Sequence, residues 1–338
     1  MSRPSVSAKD VADLAGVSRA SVSRALTPGA TISHETRARV VAAAEKLGYQ
    51  VNRLASGLIR NETGIIALIA SEIGTPYRAQ LLGALTEKLQ QAGKVTLLIN
   101  TDRSDESVER ALRQAISYRT DAAIFLSGMP AWSLAETCQK NGMRLVLINR
   151  DEARPGSVLV RLDDRAAGER AVALLLAAGC RRLALASSEA GTPSLIARES
   201  GFRDAVRAAG LDLVEERIGV TSYRTGLELG TRLMARSDRP DGVFCTTDLM
   251  ACGLMDAARF RFGVEIPRAL SVIGFDDIAQ AGWESYALTS FGQPIDKIAG
   301  AATDWLQNPA ETAAARITLS ASLVWRNSVR QLHQPHNS

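Results

Sequence analysis

Ser7-Ala8-Lys9-Asp10-Val11-Ala12-Asp13-Leu14-Ala15-Gly16-Val17-Ser18-Arg19-Ala20-Ser21-Val22-Ser23-Arg24-Ala25-Leu26 is the stretch on which the reading of this chain turns. Ser7 is placed to N-cap a helix from about Ala8 to Ala15, with Val11, Leu14 and Ala15 on its apolar face. Gly16 stands where the chain must turn sharply without a Cβ penalty. After the apolar Val17, Ser18 caps a second helix that runs to about Leu26 and buries Val22 and Leu26. Its other side presents Arg19, Ala20, Ser21, Ser23 and Arg24. A third helix begins at Ser33, with Thr36 and Arg37 in its first turn and Val40, Val41, Ala44 and Leu47 directed inward. Two short helices joined by a tight glycine turn and braced by a third make a helix-turn-helix. A three-helix protein-interaction bundle is the alternative for the same spacing.

The helix-turn-helix implies a chemistry. Its second helix enters the major groove of a DNA duplex with its N-terminal residues against base edges. Arg19 and Arg24 suit bidentate donation to guanine, and Ala20 suits a thymine methyl. Ser18, Ser21, Ser23 and Thr36 carry short hydroxyls that match phosphate oxygens, contacts that set register and carry little base information.

Working outward, residues 1–60 hold nine Lys/Arg against four Asp/Glu, a balance of +5 in a chain whose net charge is +4. A basic head on a near-neutral body fits a polyanion partner, although charge alone reads equally as a solvated surface. At 338 residues with 46% hydrophobic content the chain suits two or three domains with a real core. The four cysteines form no C-x-x-C pair, which disfavours a zinc site or a disulfide framework. The N-terminus has no apolar run resembling a signal peptide, and no window spans a membrane, so the expected setting is cytoplasmic and nucleoid-associated. Of three histidines, His34 lies in the head and His333 and His336 in the tail, so the body cannot assemble a Ser-His-Asp triad or a histidine-rich metal site. Catalytic residues, a metal and a cofactor are all unexpected, although counting leaves carboxylate-only catalysis open. No G-x-G-x-x-G or Walker sequence supports nucleotide binding.

From Gly64 onward, apolar runs alternate with amphipathic stretches. Strands are expected at Ile65–Ala70, Val95–Ile99, Ala122–Leu126, Leu145–Ile148, Leu183–Ala186, Gly242–Phe244 and Ser271–Ile273. Helices are expected near 77–92, 105–118, 132–141, 164–178, 195–209, 223–236 and 248–262. This alternation implies parallel sheets with right-handed crossovers, and the number of units implies two sheets. Ligands of such sheets bind at the carboxyl ends of strands. Polar residues there are Tyr77 and Arg78 after the first strand, Asn149 and Arg150 after the fourth, and Arg198, Asp248 and Asp276 further on. Asp248 also suits a helix N-cap, Arg150 a buried ion pair, and Asp277 a structural role. Gly168, Gly201 and Gly253 read as packing positions.

The run from Ser7 to Leu26, with Ser33-x-x-Thr36-Arg37 and Leu47-Gly48-Tyr49, resembles the head of the lactose-repressor family of bacterial regulators, and the similarity continues through essentially the whole chain. The resemblance implies an α-helical helix-turn-helix headpiece and an α/β, periplasmic-binding-protein-like body of two parallel-sheet subdomains. The expected divisions are a head at 1–50, a hinge at 51–62, a body at 63–330 and a tail at 331–338. Within the body the N-subdomain takes about 63–160 and 290–320, the C-subdomain about 161–289 and 321–330. The resemblance adds Ser7 and Val17 to the DNA contacts. It matches Asn52-Arg53-Leu54-Ala55-Ser56-Gly57-Leu58 to a hinge in which Asn52, Ala55 and Leu58 meet DNA and Leu58 wedges into the minor groove. Val51 replaces the usual proline before the hinge, and Gly57 costs roughly 1 kcal/mol of helix propensity relative to alanine. The turn Thr27-Pro28-Gly29 also departs from the family's asparagine and glycine.

Tyr77, Arg78, Arg150, Arg198, Asp248 and Asp276 fall on the family's effector-site positions, which implies an allosteric repressor governed by a sugar or sugar acid. Relatives often carry an aromatic where this chain has Arg78. Three arginines directed at one cleft favour an anionic effector. The short polar tail lacks leucine heptads, so a homodimer on a pseudo-palindromic double-stranded operator is expected in place of a coiled-coil tetramer. A periplasmic solute-binding protein, the rival reading of the body, is disfavoured by the head.

Overall fold

The computed structural model describes residues 6–27, 29–51, 62–102, 104–126, 132–150, 152, 156–308 and 315–331. The chain divides after Gly64 into two compact units.

The first unit is built from α1 (Ala8–Ala15), α2 (Arg19–Ala25) and α3 (His34–Leu47). Each helix start is stabilised locally. Ser7 forms a capping box with Asp10, and its bonds to that carboxylate hold the Asp10 pKa below its ordinary value. Ser18 accepts from the Ser21 amide at 3.1 Å, and Ser33 from the Thr36 amide at 3.2 Å. Gly16, at φ 62°, ends α1 in the left-handed region that a side chain resists. Val11, Ala12, Ala15, Val22, Ala25, Val40, Ala43 and Ala44 form the core. Leu14 and Val41, expected inside, are 46% and 37% exposed. Short helices crossing closely select their small residues, so Ala12 and Ala43 take the contact and the larger side chains stand at its edge. Two arginines are consumed by the fold. Arg37 donates to the carbonyls of Ala25 at the end of α2 and of Ala30 in the loop beyond it, and Arg39 to those of Ala15 and Gly16 at the end of α1. The oxygens of Ala25, Ala15 and Gly16 are carbonyls a helix terminus leaves without an internal partner.

The second unit contains two six-stranded sheets. Its elements are β1 (Ile65–Ala70), α4 (Pro76–Gln91), β2 (Val95–Asn100), α5 (Asp105–Ser117), β3 (Ala122–Phe125), α6 (Trp132–Lys140), β4 (Arg144–Ile148) and β5 (Ser157–Leu162). They continue with α7 (Asp164–Ala177), β6 (Leu183–Ser187), α8 (Pro193–Ala208), β7 (Leu213–Arg217), α9 (Tyr223–Ala235), β8 (Gly242–Cys245), α10 (Asp248–Phe262) and β9 (Ser271–Asp276). A 3-10 turn at Ala279–Gly282, β10 (Thr289–Gly292), α11 (Ile295–Gln307), β11 (Ala315–Leu319) and β12 (Ser322–Val324) complete it. The first sheet runs β11-β5-β4-β3-β1-β2 and the second β12-β10-β9-β8-β6-β7. Every ladder is parallel except β10 with β12. The chain passes between the sheets after Leu162, after Gly292 and between Leu319 and Ser322.

Central strands are mostly apolar because helices cover both faces, with polar residues such as Ser271, Asp276, Thr289 and Ser290 buried among them. β3 and β9 are buried along their whole length. Phe202 of α8 and, in the second sheet, Phe244, Phe291 and Phe275 form a column of rings with successive centroids 5.3, 6.5 and 6.2 Å apart. Glycine sets the closest helix crossings. A Cβ on Gly168 of α7 would lie 2.3 Å from the Arg198 carbonyl of α8, and one on Gly253 of α10 would lie 2.1 Å from the Tyr223 carbonyl of α9. No helix among the described residues is long and apolar enough to cross a membrane.

Candidate functional site

Strand ends and helix starts from both sheets converge on a cleft of about 750 Å³ including its open mouth, a size that suits a small molecule. After β1 come Glu72 and Thr75, then Tyr77 and Arg78 in the first turn of α4; Asn149 and Arg150 follow β4. Facing them are Ser194 and Arg198 of α8, Thr247 before α10, Asp276 at the end of β9 and Gln293 after β10. The backbone is strained here. Glu72, Asn149 and Asp276 have φ values of 53°, 55° and 119°, conformations that cost side-chain-bearing residues and that cluster at ligand sites.

Arg198 organises one wall. Its guanidinium stacks 3.4 Å from the Phe275 ring centroid, at the end of the phenylalanine column. It donates to Asp164 at 2.7 Å and to the Thr246 carbonyl at 2.9 Å, with Asp276 at 3.9 Å. Asp276 also accepts from Gln293 at 2.7 Å. Burial pushes the Asp276 pKa up to about 6 against the pull of Arg198, and burial likewise raises Asp164. On the other wall, Arg78 and Arg150 each donate to the Leu126 carbonyl at 2.8 Å. Tyr77 accepts from the Asn149 amide at 3.3 Å, and burial pushes its hydroxyl up to about 12.

Asn149 Oδ1, Thr247 Oγ1 and Gln293 Oε1 are buried with no hydrogen-bond partner among the described residues. A buried polar atom left unpaired costs roughly 1–3 kcal/mol, so three of them lining one cleft mark a place that a polar ligand completes.

Five of the six anticipated effector-site residues line this cleft: Tyr77, Arg78, Arg150, Arg198 and Asp276. Asp248 does not. It is the first residue of α10, not its N-cap, and its carboxylate turns away to accept from the Ile278 amide at 3.0 Å and the Ser290 hydroxyl at 2.6 Å. Its neighbour Thr247 occupies the N-cap position and lines the cleft instead. Asp277 pairs with Arg326 at 2.7 Å, outside the lining. Thr75, Thr192, Ser194, Thr247 and Gln293 were not anticipated. A signal for the first two is present in the chain: Ser71-Glu72-Ile73-Gly74-Thr75-Pro76 and Ser188-Glu189-Ala190-Gly191-Thr192-Pro193 repeat one hexapeptide, but for its third residue, after the first strand of each half.

In the head, Arg19, Ala20, Ser23 and Arg24 stand exposed on α2 while Val22 and Ala25 bury. Ser18 and Ser21 bond to each other at 3.0 Å at the start of α2, and Thr36 accepts from Ser33 at 2.7 Å at the start of α3. Val17 is half-buried in the turn and Ser7 caps α1. Asn52, Ala55 and Leu58 lie outside the described residues.

The sequence matches two family models: bacterial regulatory proteins, lacI family, over residues 7–52, and the periplasmic binding protein-like domain over residues 172–329. The HTH-type transcriptional regulator DegA of Bacillus subtilis (strain 168) is 30% identical over 86% of this chain and 87% of its own length. The fold is similar to that of the lac repressor dimer bound to operator and the anti-inducer ONPF, with a TM-score of 0.85 at 23% identity over 97% of this chain and all of that one. It is also similar to the transcriptional regulator CelR in complex with cellobiose, with a TM-score of 0.68 at 27% identity over 96% of this chain and all of that one. A helix-turn-helix head with an exposed arginine-bearing second helix, joined to a two-sheet body with a polar cleft, therefore has relatives along nearly its whole length, and the chain belongs to the lacI family of bacterial regulatory proteins as a DNA-binding regulator with an effector-binding domain.

Proposed function

We propose that this regulator is a repressor that binds a pseudo-palindromic operator as a homodimer, with an affinity set by a sugar or sugar acid held in the body's cleft. The observation that carries the reading is the set of three unpartnered polar atoms between the Arg198 and Arg78 walls. A polyhydroxylated ligand supplies hydroxyl donors to Asn149 Oδ1, Gln293 Oε1 and the Asp276 carboxylate, and an acceptor to Thr247. CelR, which binds cellobiose, shares the fold.

In this reading the head spans 1–50, the hinge 51–62 and the body 63–330, and the protein works in the cytoplasm at the nucleoid. Arg19, Ala20 and Arg24 read bases. Ser7, Val17, Ser18, Ser21, Ser23 and Thr36 set register on the backbone, and Asn52, Ala55 and Leu58 engage the minor groove. A second copy covers the exposed apolar side chains of the edge strand β2, where Val95 and Leu98 are 55% and 47% exposed. A ligand bridging the two cleft walls changes the angle between the sheets, and the difference in its affinity for the two angles is the coupling to DNA, typically about 1–3 kcal/mol.

The test is fluorescence anisotropy of the full chain on a duplex selected from a random pool, titrated with neutral sugars and sugar acids. The expected specific affinity exceeds the non-specific one by about 10³-fold or more, shifts about 5–150-fold with effector, and is lost on Leu58→Ala while the dimer persists. Binding no tighter than to random duplex refutes the reading.

A further inference from the structure

α7 and α8 cross more closely than side chains at the contact allow. A Cβ on Gly168 would lie 2.3 Å from the Arg198 carbonyl, and one on Gly201 would lie 2.1 Å from the Arg165 carbonyl. The segments involved are Asp164-Arg165-Ala166-Ala167-Gly168 and Arg198-Glu199-Ser200-Gly201, so the crossing locks the start of α7 against the first half of α8. It brings the Asp164 carboxylate to the Arg198 guanidinium at 2.7 Å, with both side chains almost completely buried. Stability is a weak reason for such a pair. Taking two charges out of water costs about as much as their attraction returns, and apolar residues of the same volume often do as well or better. Nor does α7 need the carboxylate to begin, because Asp163 before it already supplies the cap.

A second carboxylate stands within reach of Arg198. Its Nη1 lies 3.9 Å from Asp276 Oδ1, while its Nε is bonded to Asp164, Nη1 donates to the Thr246 carbonyl and the guanidinium face rests on Phe275. A shift of about 1 Å would turn that approach into a direct charge-assisted hydrogen bond. Asp276 lines the cleft and Asp164 does not. Burial has the largest influence on Asp276 and pushes its pKa up to about 6; Arg198, Gln293 and Arg78 favour its charged form, and Asp164 opposes it. Tyr77 and Asp248 feel the Asp276 charge in turn. Asp164 therefore acts on Asp276 twice in the same direction, by its own repulsion and by keeping a guanidinium at a distance.

We infer that Asp164 is a positioning residue: by holding Arg198 away from Asp276, it leaves the Asp276 carboxyl open to the ligand. The inference rests on the reading of Asp276 as a ligand-facing group, and adds a residue outside the cleft lining that sets its state. Without Asp164, the remaining carboxylate in ion-pair range of the buried guanidinium, among the described residues, is Asp276. An Arg198–Asp276 pair would occupy the acceptor that a ligand hydroxyl needs. It would also fix that group as an acceptor, whereas a carboxyl that exchanges its proton near pH 6 both donates and accepts.

The test is a ¹³C titration of the full-length protein, labelled at its aspartate side-chain carboxyls and without added ligand. In the wild type the Asp276 signal titrates near pH 6 and is identified by its absence in Asp276→Asn; Asp248 titrates near pH 7. In Asp164→Asn, which keeps the shape and an acceptor for the Arg198 Nε–H, the Asp276 midpoint falls by about one pH unit or more, as the repulsion goes and Arg198 closes in. Asp164→Glu keeps the charge and restores most of the wild-type midpoint. A role confined to stability lowers the melting temperature and leaves the midpoint in place, so an unchanged midpoint in folded Asp164→Asn overturns the inference. If Asp164→Asn does not fold, the Arg198 Nε–H signal of the wild type decides. It stays in place across the Asp276 titration when Asp164 holds the guanidinium. A signal that moves with the Asp276 midpoint shows that Asp276 holds it, and overturns the inference as well. No ligand enters these measurements, so the reading of the cleft as the effector site is tested separately, by the anisotropy titration.

Discussion

Asp248→Asn makes a demanding test of how the body is held together. Asp248 is completely buried and accepts from the Ile278 amide and the Ser290 hydroxyl, tying the start of α10 to the loop after β9 and to β10. Among the described residues no ion pair reaches it, and Gly274 leaves room for it: a Cβ there would lie 2.1 Å from Oδ1. Burial, reinforced by Asp276, pushes its pKa up from 3.8 to about 7, against the two hydrogen bonds. Between those values the folded protein holds a proton that the unfolded chain has released, so stability falls as pH rises through the window and is level above about 7. At about 1.4 kcal/mol per pKa unit, wild type should lose about 3 kcal/mol from this group between about pH 4.5 and about pH 8. Asparagine has nearly the same shape, keeps an acceptor for the Ile278 amide and carries no charge. Urea unfolding across that range should therefore give the variant a profile flatter by about 3 kcal/mol, with effector affinity unchanged because Asp248 lies outside the cleft lining. Superimposable pH profiles would refute the argument from burial, and loss of effector binding would return Asp248 to the site.

Gly168→Ala should destabilise the body by about 1–3 kcal/mol or more, because its Cβ meets the Arg198 carbonyl at 2.3 Å and the Phe202 amide at 2.7 Å. Effector affinity should fall with it as Arg198 shifts, whereas Gly83→Ala, with nothing within 4 Å of its Cβ, should be neutral or slightly stabilising in thermal melts. In the head, Arg37→Ala removes donors from the carbonyls of Ala25 at the end of α2 and Ala30 beyond it, and should lower its melting temperature by an amount equivalent to about 1–3 kcal/mol. Arg19→Ala should leave that melt unchanged and weaken operator binding by about 1–3 kcal/mol in anisotropy, relaxing the preference at one base position. The reverse pattern would show that the two arginines have been assigned the wrong way round.

The head is legible because its decisions are local. Ser7, Ser18 and Ser33 each cap a helix from three residues away, and Gly16 sits where only a residue without a side chain is comfortable. The body is legible at the buried apolar runs β1, β3, β4, β6, β8 and β9 and at the half-exposed β2, but β5, a run of Ser-Val-Leu-Val-Arg-Leu buried at five of its six positions, is not among the expected strands. It is not legible at β7, half-exposed at a sheet edge, or at β10, which is four residues of Thr-Ser-Phe-Gly. Such strands exist because a neighbour supplies their hydrogen bonds, and no pattern within five residues records the neighbour.

The cleft follows the same division. The chain by itself determined that arginines, aspartates and a tyrosine follow the strands, and parallel sheets place such residues together. Only the tertiary structure decided which way they face. Asp248 and Thr247 are adjacent, and one turns to Ile278 and Ser290, 30 and 42 residues away, while the other turns to the cleft. That choice belongs to whichever buried amide and hydroxyl need an acceptor, because leaving either unpaired in the interior costs more than any local preference of an aspartate at the start of a helix.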